Sequence, residues 1–120
     1  RRARAAERRA ELDDHYVVRF ADRVRELYPG CPQGREKQIA KHACRKYSGR
    51  VGRSAAAKDL DEQAVRLAVV AHVRHTETEY DALLVGGWDR QEARARVNEE
   101  VSMVVGAWRR SPPPDPENRR

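Results

Sequence analysis

The sequence predicts an all-α domain, a compact orthogonal array of four to five helices with no sheet. Three observations carry that expectation. Apolar residues recur at spacings of three and four along most of the chain, which is the period of a helix face. No stretch sustains the two-residue alternation of a half-buried strand. Hydrophobic residues make up 39% of the chain and charged residues 37%. That supply suits narrow stripes on amphipathic helices better than sheets buried on both faces. At 120 residues the chain is one domain, large enough to bury roughly two-thirds of its unfolded surface without staples.

Residues 1–10 read as an arginine-rich helical extension, since Arg and Ala favour helix. The chain starts on Arg1 rather than methionine, so we expect a fragment or a trimmed form. Residues 11–110 read as the single helical domain. Leu12, Tyr16, Phe20, Val24, Leu27 and Tyr28 share one face, so helix 1 runs to about Leu27. It stops at Tyr28-Pro29-Gly30-Cys31-Pro32, where a residue before proline avoids the helical region and Gly30 turns freely.

Helix 2 is expected from Gly34 or Arg35 to about Tyr47, with Ile39, Ala40, Ala43, Cys44 and Tyr47 inward and Ser48-Gly49 as its stop. Ala55-Ala56-Ala57-Lys58 adds a short helical turn. Asp59-Leu60-Asp61-Glu62 carries an acidic N-cap with a glutamate three residues on. Helix 3 then runs through Val65, Leu67, Val69, Val70 and Val73 to about His75. It is apolar on most sides, so it is the central core helix. Thr76-Glu77-Thr78-Glu79 repeats the capping pattern and predicts a break. A short helix 4 through Tyr80, Leu83 and Leu84 follows, ended by Gly86-Gly87. Asp89 to Glu92 opens helix 5, whose stripe is Ala93, Val97, Val101, Val104, Val105 and Trp108. Residues 111–120 read as a disordered proline-rich tail.

The formal charge is +6 and only 4 of the 25 basic residues are lysine. A basic, arginine-rich surface favours acidic partners, nucleic acid first. Arginine-rich composition is equally explained by a GC-rich genome, so position matters more than total. From Arg35 to Lys58 there are eight basic residues and one acid, a net of +7, so the rest of the chain sums to −1. The candidate phosphate-tracking residues are therefore Arg35, Lys41, Arg45, Lys46, Arg50, Arg53 and Lys58. Glycines 49 and 52 would let backbone amides approach a phosphate. The spacing of a nucleotide-binding P-loop is absent.

A second polar concentration lies between the apolar run of helix 3 and Leu83-Leu84. His72 and His75 are three apart, a spacing that places them side by side on a helix. Zinc catalysis wants a third protein ligand, which His42, Glu79 or Asp81 would have to bring, so structural histidines are the preferred reading and no metal or cofactor is expected. Thr76 and Thr78 are read as caps, and Tyr80 as a core aromatic. No serine sits in a nucleophile elbow, and no catalytic residue is assigned. Cys31 and Cys44 are too few for a structural zinc site. With no signal peptide and no membrane span in the sequence, they are expected to be reduced thiols in the cytoplasm.

Tyr28-Pro29-Gly30-Cys31-Pro32, Gly49-Arg50-Val51-Gly52-Arg53 and Ala71-His72-Val73-Arg74-His75-Thr76 stand together in this chain. Tyr80-Asp81-Ala82-Leu83-Leu84, Gly87, Arg90, Ala93-Arg94, Val97 and Trp108-Arg109 follow them. The combination resembles domain-of-unknown-function family 2293, of bacterial and fungal proteins, over about Leu27 to Arg109. The resemblance implies no activity. It implies that His72, Arg74, His75, Thr76, Tyr80, Asp81, Arg90 and Arg94 coincide with the family's polar motif.

Three functions follow as expectations. The first is a non-enzymatic domain that binds DNA or RNA through the local basic patch. The second is a hydrolase, nuclease-like, using His72, His75 and Asp81 as metal or acid/base groups. The third is an interaction module for an acidic protein partner. No membrane partner is expected, and the oligomeric state is left open.

Overall fold

The computed structural model describes residues 2–47 and 60–110, with side chains described over 14–44 and 60–110. Five helices account for almost all of this, and no strand occurs among the described residues. They are α1 (Arg2–Leu27), α2 (Arg35–Tyr47), α3 (Glu62–Glu77), α4 (Tyr80–Val85) and α5 (Arg90–Arg109). The all-α expectation holds, and α1 runs unbroken through the arginine-rich start. Residues 48–59, with the expected glycine stop and alanine turn, and the tail 111–120 lie outside the described residues.

One core joins all five helices. α1 supplies Phe20, Ala21 and Val24, with Tyr28 just past its end, and α2 supplies Ile39, Ala40 and Ala43. α3 supplies Val65, Val69 and Val73, each fully buried. α4 adds Tyr80, and α5 adds Ala93, Val97, Val101, Val105 and Trp108. α3 touches each of the other four helices, so it is central as its composition predicts. Its apolar surface is not wholly sheathed, because Leu67 remains 60% exposed. Cys44 is half-buried rather than enclosed, and no disulfide joins it to Cys31.

The Tyr28–Gly34 connection shows why α1 and α2 keep their places. The Arg25 guanidinium donates to the carbonyls of Pro29, Cys31 and Pro32 and pairs with Glu36 Oε2 at 2.6 Å. Glu36 also accepts from the Gly34 amide at 3.0 Å. Burial alone would raise the Glu36 carboxyl, but hydrogen bonds from its own amide, Arg25 and Gly34 outweigh it and hold the carboxyl below its ordinary value. Gly34 takes φ +93°, a region costly for other residues. Gly30 works differently from the free turn that the sequence suggests. Its φ is not positive. Its amide donates to the Trp108 carbonyl at 2.8 Å, and a Cβ there would lie 2.6 Å from the Arg110 carbonyl oxygen. Gly30 is small so that this turn can press against the end of α5.

Two cap assignments move. The N-cap of α3 is Asp61, and its side chain makes no capping hydrogen bond. The box expected from Asp59 is displaced. The break after α3 falls within the expected Thr76–Glu79 stretch, at Thr78 and Glu79, so Thr78 rather than Thr76 has the capping role. Thr76 is still helical, and its hydroxyl donates to the His72 carbonyl at 2.8 Å. Thr78 carries the joint, donating to the Arg74 carbonyl and accepting from the Tyr80 amide at 3.2 Å. The other two boundaries stand where the sequence sets them. The Asp89 carboxylate accepts from the Gln91 amide at 3.1 Å. Gly87, at φ +93°, closes α4 with the Trp88 amide on Leu83 and its own amide on Leu84, the paired bonds of a glycine-ended helix.

Candidate functional site

α2 presents two opposite faces. Ile39, Ala40 and Ala43 enter the core, while Lys37 and Lys41, one turn apart, are exposed and form no ion pair among the described residues. Arg45 continues this row one turn on. The side chains of Arg45 and Lys46, and Arg50, Arg53 and Lys58 entirely, lie outside the described residues. Arg35 belongs to the same charge concentration but is turned to another use. Its guanidinium meets Glu77 at 2.5 Å, and Thr76 Oγ1 and His72 Nε2 lie 3.5 and 3.4 Å from it. This contact bridges 42 positions, so no local pattern in the sequence announces it.

The polar motif on α3 divides into two clusters. The first is His72 with Arg35, Thr76 and Glu77, backed by the Trp108 ring 6.2 Å away. Burial lowers the His72 pKa. The Arg35 charge lowers it further, as do His42 and His75, against an opposing pull from Glu77. His72 is thus a neutral imidazole near neutral pH. The second cluster is His75, Tyr80, Asp81 and Arg74 at the α3–α4 joint. His75 Nδ1 lies 2.6 Å from Asp81 Oδ1, with both side chains about half exposed. The His75 ring meets Tyr80 edge-on at 5.3 Å. The Arg74 guanidinium stacks 5.6 Å from the centre of the Tyr80 ring, a favourable use of a ring face for a cation. Burial, then the nearby Arg94 charge, lowers the Arg74 pKa. Arg90 opens α5 as an exposed residue, and no hydrogen bond or ion pair among the described residues joins it to either cluster.

His72, Arg74 and Arg94 also share a cleft. It has a volume of about 380 Å³, with walls from α1, α2, α3 and α5. Ile39, Ala43, Ala68, Val70 and Ala71 give it an apolar lining, and His42 joins the three motif residues as its polar one. From the sequence, His42 is only a conceivable third metal ligand and Trp108 a residue of the α5 stripe, and neither is assigned to the polar site. Their signal is tertiary, since helices distant in sequence bring them to α3. Among the described residues no three His, Cys, Asp or Glu side chains gather as a metal site. No described helix is long and apolar enough to cross a membrane. Burial raises the Cys31 thiol pKa, which suppresses the thiolate that nucleophilic chemistry needs.

Comparison with known proteins gives one match. A family described as "Uncharacterized conserved protein (DUF2293)" matches residues 23–109, a span that covers every motif residue named above. No curated protein and no solved structure matches the chain.

Proposed function

Since the chain belongs to the DUF2293 family, whose description names no activity, we propose from its own surface that it is a non-enzymatic nucleic-acid-binding domain. The observation that carries this reading is the outward row of α2. Lys37 and Lys41 stand exposed on the face opposite the buried Ile39 and Ala43. They lie in the one segment, Arg35 to Lys58, that holds all of the chain's excess positive charge. A row of cations without carboxylate partners is the footprint of phosphate tracking. Arg35 anchors this face by tying the start of α2 to Glu77. A cytoplasmic setting accords with Cys31 and Cys44 not being joined in a disulfide.

The test is fluorescence anisotropy with labelled DNA and RNA fragments across a salt series. Lys37→Glu with Lys41→Glu should weaken binding to both and reduce the log-log salt slope by about 2, near one unit for each phosphate no longer neutralised. Arg50→Ala with Arg53→Ala should act in the same direction. Absence of binding at low salt sinks the proposal. Salt-sensitive affinity for an acidic protein, with none for nucleic acid, redirects it to a protein-interaction module.

A second reading rests on the 2.6 Å contact between His75 and Asp81. A carboxylate on Nδ1 orients an imidazole whose Nε2 can serve as an acid or base. A nuclease assay in the presence of added divalent metals separates the two readings. Hydrolysis that Asp81→Asn abolishes, with nucleic-acid affinity retained, selects the enzyme.

A further inference from the structure

The cleft between α2, α3 and α5 has a one-sided charge. Arg74, Arg94, His42 and His72 line it, and no Asp or Glu is among its described walls. Several other arginines are matched by carboxylates: Arg25 by Glu36, Arg35 by Glu77, Arg96 by Glu79 and Arg109 by Glu62. Arg74 and Arg94 form no ion pair among the described residues. Arg74 rests on the Tyr80 ring instead. Two guanidinium groups in electrostatic range of each other, in a cleft with apolar walls, leave a position where an anion is favoured and a cation is not.

We infer that this cleft binds a phosphate monoester. Its anionic head would lie between Arg74 and Arg94, and its organic body against Ile39, Ala68, Val70 and Ala71. The charge selects the head, because a phosphate dianion answers two arginines where a carboxylate answers one. The apolar lining selects a body larger than the bare ion. The volume of about 380 Å³ suits one small molecule or one nucleotide unit and is far too small for a duplex. His72, neutral near neutral pH, offers a ring nitrogen for a hydrogen bond to that body. The phosphate has two sources, a free nucleoside monophosphate or the phosphorylated end of a strand held by α2. Only the second source rests on the nucleic-acid reading.

The experiment compares four probes on the full chain by isothermal titration and anisotropy. They are an end-phosphorylated oligonucleotide, the same strand with a hydroxyl end, a nucleoside monophosphate and inorganic phosphate. The monophosphate should bind at least ~10-fold more tightly than inorganic phosphate, and Arg94→Gln should weaken it by ~10-fold or more. Arg94 is exposed, so that variant should keep the wild-type melting temperature. A preference of ~10-fold for the phosphorylated end, abolished in Arg94→Gln, identifies the strand end as the source. Monophosphate binding without an end preference identifies the free nucleotide. Monophosphate binding with no affinity for either strand upholds the cleft and removes the nucleic-acid reading. No monophosphate binding and no end preference overturns the inference, even if the hydroxyl-ended strand still binds with salt dependence. Inorganic phosphate binding as well as the monophosphate overturns it too, since the apolar walls would then contribute nothing.

Discussion

At the scale of single residues, His72 is where environment most changes chemistry. Burial and the Arg35 charge lower its pKa from the ordinary 6.5. Folding therefore disfavours its proton, and the unfolded chain binds that proton more readily. Stability from this group is complete above the ordinary value and is lost as pH falls below 6.5 toward the folded value. Urea titrations at several pH values should show that slope, and His72→Asn should remove it. Two neighbours set the size of the effect. Arg35→Gln takes away a cation and leaves Glu77 to act alone, so the His72 pKa should rise. Glu77→Gln should lower it. Imidazole proton resonances followed by NMR titration read both directions, and movement of the same sign in both variants would contradict the geometry.

At the scale of elements, the Tyr28–Gly34 turn fixes how two helices meet a third. Gly30 abuts the carbonyls of Ala107, Trp108 and Arg110, and any Cβ must displace the end of α5. Gly30→Ala should destabilise the fold by about 1–3 kcal/mol, the usual cost of overpacking, measured by urea denaturation. The Arg25–Glu36 pair holds the same turn from the other side. Glu36→Gln should cost about 1–2 kcal/mol at neutral pH, since charge-assisted hydrogen bonds exceed neutral ones. Because the folded carboxyl lies below its ordinary 4.5, the wild-type advantage should persist above that value. It should fade as pH drops through the depressed value, where the carboxyl takes up its proton. An energy gap between the two proteins that does not depend on pH would show that the pair is not the source.

At the scale of the molecule, charge and packing are separated. Apolar stripes from five helices meet in one core with no buried polar or charged residue among those described, so function is left to surfaces. Excess cations lie on α2 and the chain beyond it, while the histidine-arginine motif lies on the last turns of α3. Arg35 links them, since it starts α2 and ends its reach at Glu77. The cleft links them a second time, with Ile39, His42 and Ala43 on one wall and His72 and Arg74 on another. Ligands of the α2 row and of the cleft should therefore influence each other. A nucleoside monophosphate should alter strand affinity by an amount equal to the effect of the strand on monophosphate affinity, as linkage requires. Paired titrations in which neither ligand affects the other would show that the row and the cleft are independent.

The helices were legible in the sequence because a period of three and four is a property of neighbouring residues. α2, the Gly87 stop of α4, the Asp89 start and the stripe of α5 fall where the pattern puts them. So does the family, because its motif is a string of residues. Boundaries set by local competition were less legible. Thr76 bonds back to His72 and stays helical, so within the expected Thr76–Glu79 break only Thr78 caps, and Asp61 rather than Asp59 precedes α3. The site was legible only as a list. Sequence placed His72, Arg74 and His75 on one helix, but their division into a neutral His72 beside Arg35 and an exposed His75 beside Asp81 depends on what faces each side chain. Local chemistry determined which segments are helical and where charge gathers along the chain. Tertiary packing alone decided that Gly30 serves α5, that Arg35 is drawn to Glu77, and that Arg74 and Arg94 share a cleft. Those contacts join residues far apart in sequence, whose meeting is set by how the apolar stripes bury one another.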